Sequence, residues 1–535
     1  MIRGLALFIL LLFGTTEITA QYSTYIIVFK DKKGTPYQLS LPQAYLSPRA
    51  LQRRSRQKIN VDSTDLPVSP DYIQQLVAIS GVKFISASKW LNQALIQTTD
   101  SNALKAIYAL PFVKSGNAVA LQAAPRLPAP PSQKFSAPLP LLLPGEQPHQ
   151  TLRQQQNTQQ TVLNYGNNAE QIKLHHGEYL HNRGYTGEGM LIAIMDAGFY
   201  GYQTNRFLDS TRLQQRILGT WDFVAREASV SEDHPHGWYC LSIISANQPG
   251  EMIGTAPHAS FYLFRTEDAA TEYPVEEHHW VVAAEQADSL GADLISSSLG
   301  YSDFDDPSFD YSYAQRDGKT AVISRGATKA VEKGILVTNS AGNSGRALDD
   351  AKYVSCPADA EAVFAVGAVD PFGNIASFSS WGPNGAGLPK PDVVSVGQGT
   401  ILIDGFGNVA RGNGTSFSNP LLCGLMACLW QAFPEFTNRE IMQVVKKSSS
   451  LSASPSYRFG YGIPDFQKAF EALEKEREIR IKRELLTDEK WIKAYPNPYT
   501  NQLNVILKAP QSGPVSLQVI DLMGRVLKTV SWQAR

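Results

Sequence analysis

Four short stretches of this chain hold the residue types that acyl-transfer chemistry uses. Gly412-Asn413-Gly414-Thr415-Ser416-Phe417-Ser418-Asn419-Pro420 sets a serine between a glycine-rich approach and the apolar run Leu421 to Trp430. Glycines let the backbone come close, and a proline suits the first turn of the helix expected to follow. A serine there has its own N–H and the helix dipole at hand to stabilise a developing anion. Such a serine is ordinarily a cap, but a cap does not need Gly-x-Gly-Thr-Ser in front of it, so Ser416 is the candidate nucleophile. Asp233-His234-Pro235-His236-Gly237 leads into the apolar stretch Tyr239 to Ala246, where an imidazole at a helix start can act as general base. His176 also precedes a glycine, but it sits in what reads as a surface helix, His175 to Leu180, so His236 is preferred. Ile192-Ala193-Ile194-Met195 ends in Asp196-Ala197-Gly198, a carboxylate at a strand end that could orient a histidine and that alone reads as a helix cap. Asn343, in Val337-Thr338-Asn339-Ser340-Ala341-Gly342-Asn343-Ser344-Gly345, can aim an amide NH₂ at an oxyanion, although Asn-Ser-Gly by itself is an ordinary turn.

These residues sit at strand ends or helix starts, where open α/β sheets place their sites. Apolar runs at Leu191–Met195, Ser260–Phe264, Leu294–Ser298, Ile335–Thr338 and Ala362–Val366 read as strands. Helical patterns alternate with them, as at Val281 to Leu290 and Ala327 to Lys333, which predicts a parallel sheet covered on both faces. The chain has 535 residues, 43% of them hydrophobic and 18% charged, which excludes wholesale disorder. A formal charge of −1 leaves no basic field for nucleic acid or an anionic membrane. Four cysteines without CxxC spacing exclude a disulfide scaffold and argue against a thiolate zinc site.

The remaining segments are arranged around that region. Residues 1–20 carry Arg3, the apolar run Leu5 to Phe13 and a small residue before Gln21, the pattern of a secretory signal peptide. No other run is long enough for a membrane span. Residues 21–120 read as a small α+β domain, with strands at Tyr25–Phe29, Val82–Ile85 and Ala94–Gln97 and helices at Tyr72–Ala78 and Ala103–Leu110. Residues 121–164 are proline- and then glutamine-rich, a linker open to proteases. The sheet region takes 165–470, a charged helical connector 471–490, and a short β segment 491–535, with strands at Leu503–Leu507 and Ser516–Ile520.

In the order Asp196, His236, Asn343, Ser416, separated by 40, 107 and 73 residues, the motifs resemble the subtilisin-type (subtilase) serine proteases. That family's Asp…His…Ser order differs from the trypsin-like and α/β-hydrolase orders. Ser298-Leu299-Gly300, Ala365-Val366-Gly367-Ala368-Val369, Phe378-Ser379-Ser380 and Gly460-Tyr461-Gly462 extend the resemblance across about 165–470. It implies a doubly wound, mostly parallel sheet flanked by helices and a secreted endopeptidase that cuts protein or peptide substrates through an acyl-enzyme. Ser416 resembles the nucleophile, His236 the base and then acid, and Asp196 the group that fixes the imidazole tautomer. Asn343 with the Ser416 N–H would form the oxyanion hole. Ser298, Leu299 and Gly300 would pair with substrate backbone, and Ala341 and Gly342 would line the primary side-chain pocket. Ala197, Trp238 and Phe417-Ser418-Asn419-Pro420 depart from the family pattern and bear on substrate preference, while His236-Gly237 argues against the Glu-Asp-Ser sedolisin branch.

The resemblance also covers the flanks. Residues 21–120 resemble the family's propeptides, with Arg49 to Arg56 as an insertion, so the propeptide is expected to act as an intramolecular inhibitor and maturation to cut within 121–164. Ala494-Tyr495-Pro496-Asn497-Pro498 and Asp521 to Val526 resemble the opening of the Bacteroidetes type IX secretion sorting domain, expected to be partial because it stops at Arg535. This predicts export through the periplasm to the cell surface or medium. No cofactor is required for the chemistry. Calcium is frequent in the family, and Asp303 to Asp310 and Asp349-Asp350 offer oxygen ligands, but without regular spacing the metal ligands are unassigned. A Cys240–Cys423 bridge is a candidate against the default of free buried thiols, and Cys356-Pro357 matches a family position near the specificity pocket. The competing reading is an inactive subtilase-fold surface or binding protein, which would lack a reacting group, and none is missing.

Overall fold

The computed structural model describes residues 22–121, 135, 138–140, 163–487, 492–495, 503–507 and 512–534. The expected signal peptide, most of the linker at 121–164 and the end of the connector at 471–490 lie outside the described residues.

Strand β1 (Tyr22–Phe29) is followed by α1 (Pro48–Arg56), α2 (Pro70–Val77), β2 (Lys83–Ser88), β3 (Gln93–Gln97), α3 (Ser101–Tyr108) and β4 (Val113–Leu121). The strands form an antiparallel sheet in the order β2-β3-β1-β4. Side chains alternate across it with period two. Ile27, Phe29 and Ile96 pack under Leu76 and Ile107 of the helices, while Ile26, Leu95 and Val119 pack on the opposite face with Val275. The arginine-rich stretch expected as an insertion is α1, capped by Ser47 Oγ accepting from Ala50 N.

A short strand, β5 (Leu139–Pro140), precedes the larger region. There the chain runs through β6 (Leu191–Asp196), β7 (Ile217–Asp222), α4 (His236–Ser245), β8 (Ser260–Arg265), α5 (Val275–Leu290) and β9 (Leu294–Ser297). It continues through α6 (Val322–Glu332), β10 (Leu336–Ser340), β11 (Phe364–Val369) and β12 (Val393–Val396). The hairpin β13 (Gln398–Ile403) and β14 (Val409–Asn413) then leads into α7 (Thr415–Ala432) and α8 (Asn438–Lys447). Seven strands form one parallel sheet in the order β12-β11-β10-β9-β6-β8-β7. Its central strands are buried along their whole length, the reason they read as unbroken apolar runs. Strand β7 was not legible because it is a half-exposed edge strand interrupted by Gly219.

Two expectations need correction. The stretch His175 to Leu180 is not a surface helix: the helix spans Gly177–His181, and His175 and Leu180 are buried. His175 meets the Pro464 carbonyl at 3.0 Å and Ser395 Oγ at 2.8 Å, and burial pushes its imidazole down to about 4. Pro420 does not open a helix either, because α7 begins at Thr415 and carries Pro420 inside it. Every residue of α7 except Gln431 is buried, as expected of a helix that is apolar all round.

Residues 467–535 form a second compact unit. It holds most of the helix α9 (Phe466–Thr487) and two antiparallel hairpins, β15 (Ile492–Tyr495) with β16 (Asn504–Leu507) and β17 (Gly513–Ile520) with β18 (Val526–Ala534). No described helix is long and apolar enough to cross a membrane. All four cysteines are free and buried, so the Cys240–Cys423 bridge is not formed.

Candidate active site

From β6 the chain visits β7 and β8 on one side of the sheet and then crosses to β9 on the other. The crevice at the carboxyl ends of β6 and β9 is therefore the topological switch point, where open sheets bind ligands. Asp196 is the last residue of β6, and Ser298 follows the last residue of β9.

His236 opens α4 and reaches Asp196 because two backbone segments touch. Gly237 N donates to the Gly198 carbonyl at 2.9 Å, and a Cβ on Gly237 would lie 2.5 Å from that oxygen, so only glycine permits this approach. Asp196 Oδ1 then accepts from His236 Nδ1 at 2.7 Å and from Ala197 N at 2.8 Å. Both side chains are buried, at 0% and 1% exposure, and Asp196 Oδ2 meets no hydrogen-bond donor among the described residues. With the Nδ1 proton assigned by its carboxylate partner, Nε2 carries the lone pair.

Ser416 lies in the first turn of α7 and is 9% exposed. Its Oγ donates to the Ser298 carbonyl at 3.4 Å, so the hydroxyl is turned onto the backbone. The Ser416 carbonyl would ordinarily accept from the amide four residues on, but that residue is Pro420, which has none. The freed carbonyl takes Ser298 Oγ at 2.8 Å and Cys240 Sγ at 3.4 Å instead. Asn343 Oδ1 accepts from Thr415 N at 2.8 Å and from Thr415 Oγ1 at 2.9 Å, which orients the exposed amide, and a Cβ placed on Gly414 would lie 3.6 Å from Asn343 Nδ2 and 3.7 Å from Ser416 N.

The other expected residues flank this group. Ser298 and Leu299 are buried, the Leu299 carbonyl is taken by Asn339 Nδ2 at 2.8 Å, and Gly300 is exposed. Ala341 is buried at the end of β10, and Gly342 N donates to Thr415 Oγ1 at 3.1 Å. Of the acidic residues put forward for calcium, Asp310 accepts from Phe304 N, Asp306 from Ser308 N and Asp349 from Ala351 N, and Asp303 accepts from Ser302 Oγ. Among the described residues, two groups of three have ligand atoms within 4.8 Å of one another, Asp196-His236-Cys240 and Glu267-Glu272-Glu276.

Three neighbours were not anticipated. Arg265, at the end of β8, ties the segments that carry the pair: Nε donates to the Ala197 carbonyl at 3.2 Å, Nη1 reaches Asp222 at 2.7 Å and Nη2 reaches Asp233 at 3.3 Å. Burial pushes the Asp233 carboxyl up and the His234 imidazole down. Phe135 lies tilted over the imidazoles of His236 and His234, with ring centroids 4.4 and 4.9 Å away. Shortly after it, β5 pairs antiparallel with β14, Leu139 opposite Arg411 and Pro140 opposite Ala410. Cys240 stands one helical turn after His236, its thiol pushed up by burial. Its i+4 spacing from His236 was the available signal.

Residues 22–121 dock on α5 through groups that the sequence left unassigned. Arg53 and Arg54 are 0% and 1% exposed, and both pair with Asp288, while Arg54 is also held by Asp65 at 2.8 Å. Lys333 reaches Asp65 at 2.9 Å, and Glu285 accepts from Ser88 Oγ, Lys89 N and Trp90 N.

A parallel sheet whose switch point carries the Asp196–His236 pair, with Ser416 at the start of a buried helix, belongs to the doubly wound α/β class. Within it the family is specific: the Subtilase family model matches residues 187–462, just over half of the chain, and the chain belongs to that family. The Peptidase S8 propeptide domain of Bacteroidota matches residues 24–134, and the Secretion system C-terminal sorting domain matches 493–535. The chain is thus a subtilisin-like serine peptidase with a propeptide domain and a sorting domain for export to the cell surface or medium. It is 29% identical to subtilisin E of Bacillus subtilis (strain 168) over 293 residues, covering 54% of this chain and 68% of that protein. Identity to subtilisin Savinase of Lederbergia lenta is 29% over 290 residues, covering 54% and 93%, and to the serine protease AprX of Bacillus subtilis 27% over 293 residues, covering 49% and 62%.

Proposed function

We propose that the chain is a secreted serine endopeptidase made as a zymogen, with Asp196, His236 and Ser416 as its triad. The observation that carries this reading is the buried 2.7 Å hydrogen bond from His236 Nδ1 to Asp196, which leaves Nε2 as the proton acceptor on a ring whose centroid lies 5.7 Å from that of Phe417 in the first turn of α7. Ser416 Oγ leaves the Ser298 carbonyl by rotating about χ1, gives its proton to Nε2 and attacks the substrate carbonyl. Catalytic hydrogen bonds that are long or misdirected in a resting enzyme commonly form only with substrate bound. The oxyanion falls between the Ser416 N–H and the Asn343 amide that Thr415 holds in orientation. His236 then returns the proton to the leaving amine, and water repeats the sequence on the acyl-enzyme. Ser298, Leu299 and Gly300 bind substrate backbone, and Ala341 and Gly342 wall the side-chain pocket.

Residues 22–121 act as the intramolecular inhibitor, a reading supported by their buried docking on α5, while Phe135, in the segment that follows them, lies over His236. Maturation cuts between the propeptide and the sheet region, within 121–164. Fluorophosphonate labelling of the chain freed of residues 22–134 tests the proposal. The label is expected on Ser416 and lost in Ser416→Ala and His236→Ala. A folded, freed chain that takes no label and cleaves no peptide would instead support the inactive surface-protein reading.

A further inference from the structure

The carboxylate and the base stand in one framework and the nucleophile in another. Asp196 ends β6 of the parallel sheet, and His236 is held to it through the bond from Gly237 N to the Gly198 carbonyl. Ser416 instead follows the β13–β14 hairpin, which pairs with β5 in a separate three-stranded sheet. The place of the imidazole relative to the hydroxyl therefore depends on how α4 meets the hairpin and the start of α7. Ser242 Oγ of α4 accepts from Ile403 N at 3.0 Å, and two further contacts come from the neighbours of the reacting residues. Trp238, two residues after His236, is 0% exposed, and its indole Nε1 donates to the Asp404 carbonyl at 2.8 Å. Asp404 opens the hairpin turn, and the same carbonyl accepts from Gly407 N at 3.2 Å. The turn also presses on the start of α4: a Cβ on Gly405 would lie 3.7 Å from Pro235 Cβ and 3.9 Å from Tyr239 Oη. From the other side, the ring of Phe417, next to Ser416, has its centroid 5.7 Å from that of the His236 imidazole, with the planes tilted by 36°. Phe417 also seats β14, since a Cβ on Gly412 would lie 2.4 Å from its Cε2.

We infer that Trp238 is a positioning residue for the reaction: by pinning the hairpin turn to α4 it sets the distance and direction from Ser416 to His236, with Phe417 as its counterpart. This rests on the peptidase reading and adds what aligns its base with its nucleophile. Alignment acts steeply on rate, because a misplacement of about 1 Å caused away from the reacting atoms can cost roughly 10²-fold. An indole suits the task, since its large ring fills buried space while its N–H reaches a polar partner. The partner is a stiff point of the backbone: Asp404 Oδ1 closes the turn by accepting from Phe406 N at 2.9 Å and from Asn408 N at 2.8 Å. Trp238 and Phe417 are both positions where the sequence departs from the family pattern, and these contacts give the two departures one shared role.

The test compares Trp238→Phe, which keeps an aromatic ring and removes the N–H, with Trp430→Phe, both in the processed protein. Trp430 makes the same kind of bond at the far end of α7, from Nε1 to the Phe436 carbonyl at 2.9 Å. Fluorophosphonate labelling carried to completion counts the competent Ser416, and kcat and KM for a peptide anilide are expressed per labelled site. Trp238→Phe should lower kcat by about 10- to 100-fold with KM little changed, because alignment acts on the transition state. Trp430→Phe should lower the thermal midpoint and keep its kcat, which separates positioning from a general loss of stability. Phe417→Leu should lower kcat by about twofold to tenfold, and it decides the matter if Trp238→Phe does not fold. The inference is overturned by a wild-type kcat per site in Trp238→Phe, by a loss carried in KM, or by equal losses in the two tryptophan variants. Should Trp238→Phe not fold, an unchanged kcat in Phe417→Leu overturns it. A folded, processed wild type that takes no label and cleaves no peptide would sink the peptidase reading, and this inference with it.

Discussion

The Phe135 ring lies 4.4 Å from the imidazole of His236, with the two planes tilted by 38°. It reaches this position from the segment between the propeptide and the sheet region, just before β5 pairs with the strand that runs into Ser416. An aromatic ring over the base must withdraw before a substrate can approach Nε2. Phe135→Ala should therefore speed fluorophosphonate labelling of Ser416 in the uncut chain. The gain should lie between about twofold and tenfold, the equivalent of a ring–ring contact of ~0.5–1.5 kcal/mol. Intact mass of the uncut protein reads the rate, and an unchanged rate would show that Phe135 does not gate the site.

Asn343 offers a sharper test of the oxyanion hole. Asn343→Ala should lower kcat by about 10²–10³ with KM little changed, because the donor acts on the transition state. Thr415→Val removes the hydroxyl that accepts from Gly342 N and donates to Asn343 Oδ1, while the Thr415 N–H to Oδ1 remains. The amide is then held by one bond instead of two, and the loss should be smaller than for Asn343→Ala. Steady-state kinetics on one peptide substrate separates the two, and a variant that raises KM alone would assign Asn343 to substrate binding.

The candidate reacting groups stood out because each lies in a local pattern: glycines before Ser416, a glycine after His236, an apolar strand before Asp196. Backbone approaches of this kind demand particular residues at fixed offsets, so sequence records them. The propeptide docking was not legible. Arg53 and Arg54 meet Asp288, which is more than 230 residues away, and spacing carries no information about such a pair. His175 was misread for a related reason: its partners, Pro464 and Ser395, come from distant chain, and nothing beside it marks an imidazole satisfied in the core. Pro420 was visible, but its effect depends on where α7 begins, and helix boundaries are the weakest part of a sequence reading.

That helix start predicts a stability effect. Ser298→Ala takes the 2.8 Å donor from the Ser416 carbonyl and leaves only the weak thiol at 3.4 Å, which should cost about 1–3 kcal/mol. Pro420→Ala restores an amide that can donate to the same carbonyl as the regular bond four residues back. The double variant should therefore be more stable than the sum of the single effects predicts, with a coupling of ~0.5–3 kcal/mol. Denaturation midpoints of the four proteins supply the cycle, and strict additivity would mean that Ser298 and Pro420 do not share that acceptor.

His278 and Glu285, both on α5 under the propeptide, should give the zymogen opposing responses to acid. His278 sits between Ser86 Oγ and Gln93 Nε2, each 3.0 Å from a ring nitrogen, and burial with the nearby charge of His279 pushes it down to about 3. The folded zymogen thus binds this proton less readily than the unfolded chain. Its stability is full above an ordinary histidine value of about 6.5 and is lost as pH falls towards 3, by at most ~1.4 kcal/mol per unit. Glu285 is pushed up by burial, so the folded state favours its proton, and acidification relieves a penalty that is present at neutral pH. Between pH 7 and pH 5 the thermal midpoint of an uncut Ser416→Ala chain should fall. Adding His278→Gln should make that fall smaller, because the destabilising titration is gone. Adding Glu285→Gln should make it larger, because the compensating one is gone. Identical falls in all three proteins would show that neither group titrates with docking.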